Sequence, residues 1–195
     1  IKRGPPPLIP PDALSQGKAR GDSLHAQGLA AMGGMGCTLW EIGWYIRSMD
    51  DLMDDLSNED ERAVVWLDRL TEHAVARMRV YAEAGCDLVQ LGDDIGMQHA
   101  PMMAVPFWER WFKPRMKKII SAGRERKSHL LVFYHSCGFV EPFIPGLMET
   151  GVDILNPVQP ECMEFSSVYG KTAGRLSYWG TVGTQTTLPH GKPED

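Results

Sequence analysis

Two metal-competent side chains stand one residue apart in "FYHSCG" at 133–138, where the apolar run "HLLVF" is ending. If the extended backbone persists through Cys137, His135 and Cys137 point to the same side, so an imidazole and a thiolate can reach one ion. Zn2+ accepts that mixture at about 2.0–2.3 Å, and a catalytic zinc takes three protein ligands and leaves a fourth position open to substrate. Cys162 is the available third soft ligand in the chain. The competing reading gives His135 to a backbone carbonyl or an anionic substrate and makes Cys137 a small buried hydrophobe. Spacing alone leaves both readings open.

Polar groups follow apolar runs at three other places: Asp93 and Asp94; Asn156, Gln159, Glu161 and Cys162; and Thr181, Thr184 and Gln185. Asp93 and Asp94 are adjacent, so in an extended segment they face opposite ways and only one can point into a site. That one would act as a general acid or base or orient a ligand, with a helix N-cap or a surface carboxylate as the alternative use. Asn156, Gln159, Thr184 and Gln185 are expected to line the site and touch substrate. His99 reads as a bystander, and Phe107, Trp108, Trp111 and Phe112 read as core at helical spacing.

The elements that must position these groups follow from a near repeat. "EAGCDLVQLGDD" at 83–94 and "ETGVDILNPVQP" at 149–160 share a helix end, a glycine and a buried strand that delivers polar groups at its end. They lie 66 residues apart, with one further helix–strand pair between them, which gives about 33 residues per unit, the size of a βα repeat. Strands are expected at 24–29, 87–92, 129–134, 152–156 and 176–180. Helices are expected from Thr38, from a capping box at Ser57 and Asp60 to a stop at Gly85, and near 106–122, 139–150 and 163–173. Residues 1–22, rich in Pro, Gly and polar residues, are expected to be loop or linker ahead of one domain at 23–195. Gly33, Gly34 and Gly36 read as a loop, without a phosphate-binding fingerprint. The closing "GKPED" reads as the start of another helix.

Serial βα units with short buried strands point to a parallel sheet, either a (β/α)8 barrel or a doubly wound fold, and the missing nucleotide fingerprint favours the barrel. A whole barrel needs about 250 residues, so 195 residues hold only part of one. In such folds the reactive groups gather where strands end at their C-terminal edge, which is where the polar groups above fall.

The net charge of −5, with Lys and Arg scattered, gives no footprint for nucleic acid or an anionic membrane surface. No apolar stretch approaches the roughly 20 residues of a membrane span, and the first residues lack the apolar core of a secretory signal, so a cytosolic protein is expected. Four cysteines in 195 residues are too few for a disulfide framework.

"GCDLVQLGDDIG", "FWERWFKPRMKKII", "HSCGFVEPFIPGLMETGVDILNPVQPECM" and "GRLSYWGTVGTQTTLPHGKPED" together resemble the uroporphyrinogen decarboxylase superfamily, in particular its methyltransferase-like branch, from Ser23 to Asp195. The resemblance implies a (β/α)8 barrel with its site at the C-terminal mouth. In the cobalamin-linked methyltransferases of that branch the HxCG histidine and cysteine bind zinc, matching His135 and Cys137, and a later cysteine, whose place would fall beyond Asp195, completes the set. Cys162 is the substitute within this chain. The implied reaction moves a methyl group from a corrinoid carrier to a thiol or similar acceptor, with a corrinoid protein or small molecule as partner and a homodimer left open. The rivals are a metal-free decarboxylase acting on a tetrapyrrole, with His135 as proton donor or substrate contact, and a non-catalytic corrinoid- or tetrapyrrole-binding fragment. No arginine-rich segment precedes Ser23, and Gly183 stands where the superfamily often has an aspartate; both departures count against the porphyrin substrate.

Overall fold

In the computed structural model, which describes residues 9–192 and 194, five parallel strands run in the order of the sequence: β1 (Met32–Met35), β2 (Leu88–Gly92), β3 (Leu131–His135), β4 (Ile154–Asn156) and β5 (Ser177–Tyr178). A doubly wound sheet reverses its strand order at a switch point. This sheet has no reversal, so it is an arc of a (β/α)8 barrel. All its C-terminal ends meet at one rim, with Gly92 beside His135 and His135 beside Asn156 in register.

Helices cover one face of the arc. α1 (Ala13–Ala26) precedes β1, and α2 (Trp40–Arg47), α3 (Met49–Ser57) and α4 (Glu61–Glu83) lie between β1 and β2. α5 (Val105–Trp111) and α6 (Lys113–Arg124) precede β3. A 3-10 turn (Glu141–Phe143) and α7 (Ile144–Thr150) precede β4, α8 (Phe165–Thr172) precedes β5, and α9 (Thr187–His190) follows it. α4 buries Leu67, Thr71, Ala74, Met78 and Ala82, which recur at three- and four-residue steps along one stripe. α6 buries Met116, Ile119 and Ile120. Trp108 and Phe143, both fully buried, meet with ring centroids 5.5 Å apart, and Trp40 meets Phe112 edge-on at 5.8 Å.

Five expectations need correction. Residues 13–26, expected as linker and the start of a strand, form α1; residues 1–8 lie outside the described residues. Gly17 and Gly21 look like breakers, yet they let α1 press against Ala84, where a Cβ on Gly17 would sit 3.1 Å from the Ala84 Cβ. The first strand is Met32–Met35, which includes Gly33 and Gly34, and Tyr81 of α4 lies over Gly33. The capping box is displaced: Ser57 ends α3, and Asp60 itself caps α4, accepting the Arg62 N–H at 2.8 Å. The helix at 106–122 divides at Phe112, because Pro114 takes one of the first two positions of α6. The final helix also ends before the closing "GKPED", of which residues 193 and 195 lie outside the described residues.

Candidate metal centre at the strand C-terminal rim

β3 ends on His135, and the extended path continues far enough for Cys137 to return to the same side, its Sγ 3.6 Å from His135 Nε2. Between them Ser136 turns the other way and is wholly buried, its hydroxyl accepting the Ile95 N–H at 3.0 Å. Gly138 then takes a left-handed φ of +81°, and a Cβ there would lie 2.5 Å from the Gly96 carbonyl group. Its N–H donates to Gln159 Oε1 at 2.6 Å. The HSCG segment is therefore held on both flanks.

The neighbouring strand resolves the Asp93–Asp94 alternative. Asp93 is buried and accepts the Leu39 N–H at 3.0 Å and the Glu41 N–H at 3.0 Å, so it holds the start of α2. Burial pushes its carboxyl up to about 7, against the pull of those backbone N–H groups. Asp94 points to the rim. Its Oδ1 accepts the Cys137 N–H at 2.8 Å and lies 3.7 Å from His135 Nε2, while its own N–H donates to Glu41 Oε2 at 3.2 Å.

Asp94, His135 and Cys137 are the three residues, among those described, whose ligand atoms lie within 4.8 Å of one another. Donor atoms about 2.0–2.3 Å from a tetrahedral zinc stand roughly 3.3–3.8 Å apart. The 3.6 and 3.7 Å separations here fit that spacing, and an imidazole, a thiol and a carboxylate are all zinc donors. The hydrogen bond with Cys137 lifts the His135 imidazole up to about 9; Asn156 and the charges of Cys137 and Asp94 assist, and burial opposes. An imidazole held between a thiol and a carboxylate is a donor set compatible with a divalent cation.

Cys162 falls outside this group. Its Sγ sits 3.9 Å from Gln159 Oε1 and burial pushes its thiol up, and the third residue that lies near His135 and Cys137 is Asp94. Asn156 Oδ1 lies 2.6 Å from His135 Nδ1 and its Nδ2 donates to the Trp179 carbonyl. Gln159, almost fully buried, joins Gly138 to Thr184, whose Oγ1 accepts from Nε2 at 2.8 Å. Gln185 donates its N–H to Glu161 Oε1 at 3.0 Å and its side-chain amide to Gln98 at 2.8 Å. The four residues expected on substrate thus spend these groups on holding the rim. Glu41, unremarked in the sequence, lies on the rim too; the strand-end rule would have found it had β1 been placed at 32–35.

Among solved structures, a methyltransferase from Methanosarcina mazei is similar in fold, with a TM-score of 0.71 at 20% sequence identity. The match covers 93% of this chain and 54% of that one, so the chain spans about half the length of that neighbour. No curated protein matches. Among the described residues no helix is long and apolar enough to cross a membrane. Residues 26–171 match the family described as Uroporphyrinogen decarboxylase (URO-D), a span that takes in the HSCG segment and four of the five strand ends, and the chain belongs to that family.

Proposed function

We propose that the chain carries the metal site of a zinc-dependent methyltransferase, one that moves a methyl group from a corrinoid carrier to a thiol. The observation that carries this reading is the meeting of Asp94, His135 and Cys137 at the rim. These three would hold Zn2+, and a zinc bound there would lower the pKa of an incoming thiol so that it accepts the methyl group as a thiolate.

The chain's own residues do the positioning. His135 and Asp94 keep 35% and 36% of their side-chain surface exposed, so a thiol can approach and its proton can leave to solvent. Cys137 is fixed through its N–H on Asp94, and Asp94 through its N–H on Glu41. Gln159 and Thr184 tie the loops after β4 and β5 to the HSCG segment. The fold likeness to a methyltransferase supports the choice of reaction class.

Metal analysis of the purified chain tests the reading. About one zinc per chain is expected, lost in His135→Ala and Cys137→Ser, together with methyl transfer from methylcobalamin to a thiol by the zinc-loaded protein. A folded, zinc-free chain that takes up no zinc and binds a porphyrinogen would overturn it in favour of a decarboxylase.

A further inference from the structure

Asn156 ends β4 and is paired in register with His135 at the end of β3, so the two side chains stand next to each other on one face. The Asn156 amide has two different ends. Nδ2 donates to the Trp179 carbonyl, and Oδ1 lies 2.6 Å from His135 Nδ1. Turning the amide over would bring Oδ1 against the Trp179 carbonyl oxygen, two acceptors with no hydrogen between them. That carbonyl belongs to a well-fixed residue: the Trp179 N–H donates to Leu155 O at 3.0 Å, and its ring meets Phe133 edge-on at 5.3 Å. Among the described residues Oδ1 is the acceptor that faces Nδ1, so the hydrogen of a neutral His135 sits on Nδ1. Nε2 then carries the lone pair, and Nε2 is the nitrogen that faces Cys137 Sγ at 3.6 Å and Asp94 Oδ1 at 3.7 Å.

We infer that Asn156 is a positioning residue which, through the Trp179 carbonyl, fixes the tautomer and ring orientation of His135 so that Nε2 is presented to a divalent metal ion. This rests on the metal reading of the Asp94–His135–Cys137 trio and adds to it a selector one strand away. A free histidine ring favours its hydrogen on Nε2, the reverse of what the site needs, so the bond from Nδ1 does directed work on the ring. Partners of this kind on the second ring nitrogen are worth about 10–100-fold in metal affinity.

The test uses the purified chain and two variants. Asn156→Ala removes the acceptor, and Asn156→Asp keeps an oxygen facing Nδ1. Zinc dissociation constants come from competition with a chromophoric chelator. The tautomer comes from long-range 1H–15N spectra of the histidine rings in the metal-free chain near about pH 10, where imidazoles are neutral, with His135→Ala identifying the signal. The expected result is an Nδ1–H ring in the unaltered chain. In Asn156→Ala the ring moves toward Nε2–H and zinc binds about 10–100-fold more weakly, while Asn156→Asp, which keeps the acceptor for Nδ1 but sets its second oxygen against the Trp179 carbonyl, recovers part of the affinity. An Asn156→Ala variant with unchanged affinity and an unchanged Nδ1–H ring overturns the inference. If the unaltered chain takes up no zinc, the metal reading falls by itself, and the ring spectra still decide what Asn156 does: an Nδ1–H ring that is lost in Asn156→Ala supports its role, and an Nε2–H ring in the unaltered chain overturns it.

Discussion

Asp93 and Asp94 are chemically identical neighbours with opposite work, and the pleat divides them. Asp93 is turned into the core and caps α2, where truncation to Ala should cost about 0.5–2 kcal/mol, as for other helix caps. Its folded-state pKa is raised from 3.8 to about 7, so its contribution to stability is fully present below the unfolded value of 3.8 and is lost as pH rises through 7. Asp93→Asn should flatten the fall in stability between those limits, read by urea denaturation at several pH values. His135 is raised from 6.5 to about 9 in the metal-free chain, so at neutral pH it must give up a proton to bind an ion. Calorimetric zinc titrations in buffers of differing ionisation heat should show at least about one proton released per zinc near neutral pH, and affinity should fall as pH is lowered. Zinc uptake without proton release would remove His135 from the ligand set.

At the scale of elements, the rim depends on how strands and helices are anchored. Asp87, just before β2, accepts the Ala31 N–H at 2.8 Å, pairs with His25 of α1 at 2.7 Å and contacts Lys127 at 3.2 Å. The Ala31 N–H, then His25, then Lys127 lower its carboxyl to about 2 against the pull of burial. The stability it lends is therefore present above 3.8 and lost as pH falls toward 2. Asp87→Ala should cost about 1 kcal/mol, a modest figure because the side chain is partly solvated, and should loosen α1 first, visible as faster amide exchange over 13–26. Gly138→Ala puts a Cβ onto Gly96 and strains a positive φ, so a loss on the order of 1–3 kcal/mol is expected, with zinc affinity falling alongside.

These anchors also mark where the sequence was legible. The spacing of His135 and Cys137 at a strand end predicts their shared direction, and the repeated helix–glycine–strand phrases predict β2 and β4, because both signals are local. α1 escaped because glycines that punctuate a solvated chain become contact points once Ala84 lies beneath them. β1 escaped because its glycines are strand residues only when Tyr81 and β2 flank them. Asp94 could not be chosen over Cys162 as the third partner, since that choice rests on the register between β2 and β3, a relation across 41 residues between Asp94 and His135.

For the molecule as a whole, the arc has one closed face and one open one. Val132 and Tyr134 of β3 are buried against the helices, while on the opposite face Phe133 is buried and meets the Trp179 ring, and Leu131 is 45% exposed, Met32 42% and Trp179 55%. The energetic weight should follow. Trp108→Ala, which empties the space against Phe143, is expected to cost about 3–5 kcal/mol. Leu131→Lys on the open face should stay within about 0.5 kcal/mol. Denaturant midpoints of the two variants check this, and equal losses would mean that the open face is core. The open face also carries the rim, with His135 and Asn156 paired at its edge.

X-ray absorption at the zinc edge of the loaded chain tests the central claim most directly, because it counts ligands by element. One sulfur at about 2.3 Å with nitrogen and oxygen at about 2.0–2.2 Å, including the outer-shell pattern of a single imidazole, is the expected first shell of Asp94, His135, Cys137 and an open position. Two sulfurs would bring Cys162 or another thiol into the site, and a shell without sulfur would contradict the centre altogether.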